Sequence, residues 1–590
     1  MKNTNIIGLI EEKTPGLRIE SQDGKTVYTY PCKADGIYGL GERYCSVNHK
    51  GKTLVSKVFE KFTRQGEHTY FPLPFYHTSD GHGVFVDTPC EVEFSFFQDN
   101  IRIKIDSDAP HNLYFYYGSP GQIVSEFITA TGKPLLPPKW AFGVWASANR
   151  WNKQSDIEEQ LELIEKHNYP VSVIVIEAWS DEATFYIWNG AEYRPCEGEE
   201  SLSLKDFQFK EPWPDPMGMI RKIHDKGMKL VLWQVPAIKL LEEGRSVKQH
   251  QNDWDYADEK ELAVKGEDDK PYLIPRQWFI GSMVPDFSNP EAVKWWISKR
   301  KYLIEEMKID GFKTDGGEFI HDDFVKFFAG YDGRQGRNLY PALYQQAYSR
   351  LTGESGILFS RAGYLGAQTT PMYWAGDQVS DFSELKSVLN AGISLSLSGI
   401  PFWSFDIGGF AGPLPDKELY LRATALGAFV PAMQWHSEPA DGQFEEIMKG
   451  NGGTNDRSPW NMAKVYDDPD IMEIAKFFAN LHMKFLPYFY EEAKKAVEKG
   501  LPFMRHLMFD YGEEEAARLC DDEYMVGDIL IAPIVSPGNR RMVYLPKGVW
   551  FDFWSGERIE GMVTIEKEAE LSSIPLYIRE SAVALLSLKE

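Results

Sequence analysis

Two hydrophobic periods divide the chain. Residues 1 to about 130 alternate apolar and polar positions in short runs, among them "KTVYTYPC", "GVFVDTP", "EVEFSFFQ", "IRIKIDS" and "NLYFYYG", separated by Gly and Asp turn signals. Period-2 runs of this length predict antiparallel strands packed as a sandwich. A proline-rich joint, "KPLLPPKW", ends that pattern. Beyond Trp140, apolar strands alternate with amphipathic stretches such as "SDIEEQLELIEKHN" and "PMGMIRKIHDKG". The eight strand candidates are "AFGVWAS" (141–147), "VSVIVIEAW" (171–179), "KLVLWQV" (229–235), "IDGFKTD" (309–315), "GILFSRA" (356–362), "MYWAGD" (372–377), "IPFWSFD" (400–406) and "FVPAMQWH" (429–436). The alternation over Tyr302–Asp310 reads as a continuous strand running into the fourth of them.

Strand–helix alternation implies parallel strands joined by helical crossovers, and eight units imply a (β/α)₈ barrel, an α/β fold of the TIM type. The expected domains are an N-terminal β-sandwich (1–133), a barrel (134–498) with insertions near 180–210 and 240–280, and a C-terminal β domain (499–590). That last domain is read from "DILIAPIV", "RRMVYLP", "GVWFDFW" and "SAVALLSL".

In such a barrel, chemistry gathers at the C-terminal ends of the strands. The last polar residues of strands two to eight are Glu177, Gln234, Asp315, Arg361, Asp377, Asp406 and His436. Any one of them reads equally well as a helix cap or a satisfied core group. Seven of eight strands delivering a polar group to one rim favours a site.

Composition narrows the chemistry. Apolar content of 43% and charged content of 25% are those of a globular protein. The net charge of −24 disfavours nucleic acid and anionic membrane partners. Five scattered cysteines form no CxxC, and the twelve histidines show no HExxH spacing, so neither metal nor cofactor is expected. The opening "MKNTNIIGLIEEKTPG" has an apolar run too short for a signal peptide, which makes a cytoplasmic location the expectation. GxSxG, P-loop and dinucleotide fingerprints are missing from the sequence. What remains is a ring of carboxylates with one Arg, one His and several Trp, the inventory for glycoside hydrolysis. Trp145, Trp179, Trp233, Trp278, Trp374, Trp403 and Trp435 offer faces for sugar rings, or equally barrel packing.

Three stretches, "DGFKTDGGE", "SRAGYLGAQTTPMYWAGDQ" and "FWSFDIGGF", resemble glycoside hydrolase family 31. The likeness extends to "YGLGERY" and "PFYHTSDGHGVFVDTP" before the barrel and to "GDILIAPIVSPGNRRMVYLPKGVWFDFWSGE" after it. This resemblance implies a retaining exo-α-glycosidase of the α-glucosidase type, acting on a small neutral oligosaccharide or α-glycoside. It implies Asp315 as nucleophile, with Gly316 and Gly317 leaving room beside a bound sugar, Glu318 as an anchoring acid and Asp377 as general acid/base. Arg361, Asp406 and His436 correspond to hydroxyl-binding positions, and Glu177, Trp179, Trp233 and Trp374 complete the expected substrate site. Strand two departs from the α-glucosidase "D-I-D": it reads "EAW", so Glu177 replaces an Asp and Trp179 stands where a bulky ring would crowd C5 and favour an α-xyloside. The acids of "WSDEATF" argue against an anionic substrate. An α-xylosidase, an α-galactosidase, an α-transglycosylase and an inactive carbohydrate-binding protein are the alternatives, and a homo-oligomer is compatible with the sequence.

Overall fold

The computed structural model describes residues 16–109, 111–438 and 455–589. The apolar run near the N-terminus lies outside them. The N-terminal strands form two antiparallel sheets. Arg18–Gln22, Lys25–Pro31, Asn100–Ile105, Val92–Phe96 and Thr53–Ser56 make one, in that spatial order. Ile37–Gly41, Pro72–Thr78, His82–Asp87 and Asn112–Tyr117 make the other. Alternate residues such as Tyr28, Phe94, Ile103 and Val86 turn inward to a shared core.

The eight expected strands all form, in one parallel sheet that closes on itself. They are β1 (Val144–Ser147), β2 (Val171–Ile176), β3 (Lys229–Gln234), β4 (Gly311–Thr314), β5 (Ile357–Ser360), β6 (Met372–Trp374), β7 (Trp403–Ser404) and β8 (Met433–Trp435). Neighbours pair in chain order from β1 to β7, with a register shift between Val144 and Trp145 where β1 meets β2; β8 returns to pair with β1, and a single bridge between Asp406 and Gln434 closes the seam. Each strand is shorter than its apolar run; β1 and β8 lose residues mainly at the N-terminal side, and β2, whose run extends to Trp179, at the C-terminal side. Helices such as Gln154–His167, Pro216–Asp225, Gly333–Thr352, Phe382–Leu397 and Lys417–Gly427 cover the outside. Between β5 and β6 the crossover is a single 3₁₀ turn, Ala367–Thr369.

Two readings of local pattern are corrected. Tyr302–Asp310 is not strand. Helix Lys301–Glu305 occupies its first half, with Tyr302 and Leu303 buried, and a loop leads into β4. A five-residue run of buried and exposed positions fits either period, and packing chose the helical one. "SAVALLSL" is not strand either: Glu580–Lys589 forms 3₁₀ turns, and the last strand is Leu576–Arg579. Its Ala and Leu content favours helical backbone over strand.

The rest of the C-terminal region is a six-stranded antiparallel sheet with a separate two-stranded ribbon, Arg540–Leu545 against Val563–Glu568. It is joined to the barrel by a 31-residue helix, Pro469–Lys499, that ends at Gly500 in the left-handed region. Among the described residues no helix is long and apolar enough to cross a membrane.

Candidate active site

The C-terminal rim of the barrel opens into a cavity of about 950 Å³, lined among others by Glu177, Trp233, Lys313, Asp315, Arg361, Asp377 and His436. Backbone geometry delivers Asp315. Its amide donates to the Gln234 carbonyl at 2.9 Å, one step beyond the β3–β4 ladder. Gly316 and Gly317 then follow with φ of 73° and 106°, conformations that only glycine adopts without strain. A Cβ at Gly317 would meet nothing closer than 3.6 Å, so what that position requires is the backbone turn rather than empty space beside a ligand. The turn lets the Gly316 amide donate to Asp315 Oδ1 at 2.8 Å while Trp233 Nε1 donates to Oδ2 at 3.0 Å. It also carries Glu318 back beneath Arg361.

Arg361 organises the acids. It pairs with both carboxylate oxygens of Glu318, at 3.0 Å each, and its Nη1 lies 3.1 Å from Asp315 Oδ1 and 3.5 Å from Asp377 Oδ2. Glu318 is wholly buried by that pairing and serves as the anchor for the guanidinium. The Asp377 carboxyl is held well above the usual carboxylate range. Burial is the main cause; the charges of Asp315 and Asp406 add to it, and Arg361 and Lys313 oppose it. Asp377 follows Gly376, whose φ is 71° and where a Cβ would strike the Tyr70 ring at 2.5 Å. Tyr44 donates to the Ala375 carbonyl at 2.6 Å, so residues of the N-terminal domain clamp the loop that carries this acid.

A second charged group forms the floor. Lys313 Nζ lies 2.6 Å and His436 Nε2 3.0 Å from Glu177 Oε1, and Ser147 Oγ is 2.8 Å from His436 Nδ1. Burial alone would raise the Glu177 carboxyl, but His436 and Lys313 outweigh it and bring it down to about 2. A folded-state value below the unfolded one contributes stability that is fully present above the unfolded value, near 4.3, and is lost as pH falls towards 2. Glu177→Gln leaves a buried lysine without its partner. It should therefore lower the thermal midpoint at neutral pH, by the equivalent of about 3–5 kcal/mol. The gap from wild type should narrow between pH 4.5 and 2. Thermal melts across that range check this, and a gap independent of pH would refute the ion-pair account.

The expected sugar-facing tryptophans divide. Trp233 and Trp278 line the cavity, whereas Trp145, Trp179, Trp374, Trp403 and Trp435 are buried in packing. Trp374 lies under Lys313, whose Nζ is 4.6 Å from the ring centre. Trp179 is fully buried. Its ring packs at 5.2 Å on Trp188 and its Nε1 donates to the Trp233 carbonyl at 3.0 Å, while its neighbour Ala178 faces the cavity. The crowding of C5 expected from this indole is therefore not what the fold produces. Trp179→Ala should cost about 3–5 kcal/mol through the cavity it leaves. It should move the glucoside-to-xyloside ratio by no more than about twofold. A tenfold shift in that ratio would show that the indole does set specificity.

Asp406 is also behind the wall. It is 2% exposed, its Oδ1 accepts from Gln434 at 2.5 Å, and its Oδ2 has no partner among the described residues. Its charge still raises the carboxyl of Asp377 and the ammonium of Lys313.

Among the lining residues that the reading of strand ends did not name are Lys313 and Glu60. Lys313 shares its strand face with Asp315, two positions on, so the period-2 rule could have found it. Glu60 lies on the N-terminal domain's loop between Thr53–Ser56 and Pro72–Thr78, where no local signal marks it. Among the described residues one cluster has metal-ligand chemistry, Cys520, Asp522 and Glu523. Arg541 Nη2 already bonds both acids there, at 2.8 and 3.0 Å, and supplies the positive charge.

A closed parallel barrel presenting paired carboxylates, a shared guanidinium and aromatic walls at its C-terminal rim defines the class of (β/α)₈ glycoside hydrolases. The matching family descriptions are the glycosyl hydrolase family 31 TIM-barrel domain over residues 134–492, its C-terminal domain over 500–584 and its N-terminal galactose mutarotase-like domain over 24–95. The chain belongs to glycoside hydrolase family 31. It is 37% identical to an isomaltosyltransferase of Sporosarcina globispora over 95% of this chain and 52% of that protein, so it spans about half that relative's length. It is 35% identical to a 1,3-alpha-isomaltosidase of Kribbella flavida over 96% of this chain and 77% of that protein. A cycloalternan-degrading enzyme from Trueperella pyogenes, solved with a covalent intermediate, superposes with a TM-score of 0.89 at 34% identity, covering 94% of this chain and 77% of that one.

Proposed function

We propose that the protein is a retaining α-glycosidase acting on the ends of small neutral α-glucosides, with Asp315 as nucleophile and Asp377 as general acid/base. One observation carries the reading: Asp315 and Asp377 share a single nitrogen of Arg361, and the Asp377 carboxyl there is held well above the usual carboxylate range by burial. Oxygens held at 3.1 and 3.5 Å from one nitrogen can stand at the ~5–5.5 Å of a retaining pair. Asp315 is held as an acceptor by Trp233, Gly316 and Arg361, oriented to attack the anomeric carbon. Asp377, kept protonated by burial and by its neighbours' charges, gives its proton to the departing glycosidic oxygen. The acid then takes a proton from water, or from an acceptor hydroxyl, as the glycosyl–Asp315 ester is opened with net retention.

The glycone sits on the floor, where Glu177 accepts from and Lys313 donates to neighbouring hydroxyls, and His436, bonded to Ser147 and Glu177 through its two ring nitrogens, orients Glu177. Asp181 and Glu182 on the wall support a neutral substrate over an anionic one. The named activities of the isomaltosyltransferase and the isomaltosidase support glucose as the sugar cleaved. Transfer to an acceptor sugar is the second reading, favoured by the isomaltosyltransferase relationship and by a cavity roomier than one pyranose.

The test is a panel of aryl α-glycosides: glucoside, xyloside, galactoside, N-acetylgalactosaminide and sulfoquinovoside, followed by product analysis at high concentrations of isomaltose. The glucoside should be turned over fastest, with the α-anomer of glucose released first. A faster xyloside, or initial release of the β-anomer, overturns the assignment.

A further inference from the structure

The loop from Lys57 to Tyr70 leaves the N-terminal domain and crosses the mouth of the barrel. It is held at many points along its length. The Val58 amide donates to Asn338 Oδ1 at 2.8 Å, the Phe59 amide to the Thr69 carbonyl at 3.0 Å, and Tyr70 OH to the Lys61 carbonyl at 2.6 Å. Gln277, from the insertion after β3, donates to the Glu60 carbonyl at 2.5 Å. Arg64 bonds Glu384 and Asp381 on the barrel. The backbone of Glu60 is therefore fixed from both domains.

Its side chain is not satisfied. Glu60 lines the cavity at 8% exposure, and its Oε2, shut off from solvent, has no hydrogen-bond partner among the described residues. Burying a carboxyl without a partner is costly, and a loop anchored this well could have turned the side chain to solvent. Burial pushes this carboxyl up to about 7; Arg361 opposes the shift, and Glu318 and Asp315 add to it. At the far end of the same loop the Tyr70 ring lies 4.6 Å from the Arg361 guanidinium that bonds Asp315 and Asp377.

We propose that Glu60 is a specificity-determining residue for the reaction above, hydrogen-bonding a hydroxyl of the sugar that occupies the leaving-group and acceptor position. This rests on the reading that the glycone sits on the floor: a group that enters over the mouth, beside Trp278, then meets the sugar on the far side of the scissile bond. The same contact holds the leaving sugar in the first half-reaction and an acceptor sugar in the second, so it also weighs transfer against hydrolysis.

The experiment compares kcat/KM for isomaltose and for p-nitrophenyl α-glucoside, whose leaving group carries no sugar hydroxyl, in wild type, Glu60→Gln and Glu60→Ala. Loss of a hydrogen bond to a charged or acidic group is worth about 10- to 100-fold. The disaccharide should lose at least tenfold more than the aryl glycoside in Glu60→Ala. Glu60→Gln, which keeps the shape and part of the hydrogen bonding, should lie between, with thermal midpoints near wild type for both variants. The ratio of transfer to hydrolysis at high isomaltose should fall in parallel. Equal losses on the two substrates, or a greater loss on the aryl glycoside, overturn the assignment. If wild type cleaves neither substrate, the reading of the reaction falls instead. Isomaltose affinity, compared by calorimetry between Asp315→Ala and Asp315→Ala/Glu60→Ala, then still decides the contact. A tenfold weaker Kd supports it, and equal values refute it.

Discussion

Asp315→Ala is expected to lose at least about four orders of magnitude in turnover, as expected when the nucleophile of a double displacement is removed. The protein should keep its fold, because Arg361 retains its two-oxygen pairing with Glu318 when Asp315 is gone and no buried cation is stranded. Azide should restore part of the rate on an activated aryl α-glucoside. The anion enters the space left by the carboxylate, attacks the anomeric carbon from that face and yields the glycosyl azide of inverted configuration. Circular dichroism and a thermal melt check folding, and the azide product is identified by its anomeric proton coupling. Retention of even a tenth of wild-type activity would remove Asp315 from the role. Glu318 would be a poor substitute, since both its oxygens are committed to Arg361 and the carboxylate is fully enclosed.

Asp377→Ala should separate substrates by their leaving groups. An activated aryl glycoside departs with little protonation and should lose about tenfold. An alkyl glycoside or disaccharide needs the proton and should lose about 10³-fold or more, within the range that general acid catalysis supplies. In wild type the basic limb of kcat/KM reports the loss of this proton. That limb should lie well above the ordinary carboxylate range, since burial and the neighbouring acids hold the group protonated. In Asp377→Ala it should disappear for the aryl substrate. The sign follows from the acid role: activity is present while the group is protonated and falls as pH rises through its folded value. Equal losses on both substrate types would make Asp377 a sugar-binding residue.

The order of the eight strands, and the acids that close β4, β6 and β7, were legible from the chain alone, whereas the expected helix between β5 and β6 proved to be a 3₁₀ turn. The reason is physical. Apolar runs of four to eight residues between amphipathic stretches have few ways to bury themselves, and a parallel barrel sends every strand's C-terminal end to one rim. The Asp315–Gly316–Gly317 turn has an equally local cause, φ values of 73° and 106° that favour glycine, although the sequence alone suggested room beside a sugar there. Side-chain direction within a strand is local too, which is why Lys313 could have been paired with Asp315 in advance.

Other features had to wait for the assembled molecule. Whether a tryptophan faces a sugar or the core depends on which neighbour reaches it first: Trp188 and the Trp233 carbonyl claimed Trp179, and Lys313 lies over Trp374. Glu177 holds Lys313 and His436, residues 136 and 259 positions away, and no periodicity links such distant parts of a chain. Glu60 comes from another domain altogether. The sequence by itself determined which residues end the strands and how the backbone turns there, because both follow from sterics and period. Tertiary structure decided which of those side chains meet, because docking distant segments fixes burial and charge neighbours, and these set the protonation of Asp377, Glu177 and Glu60.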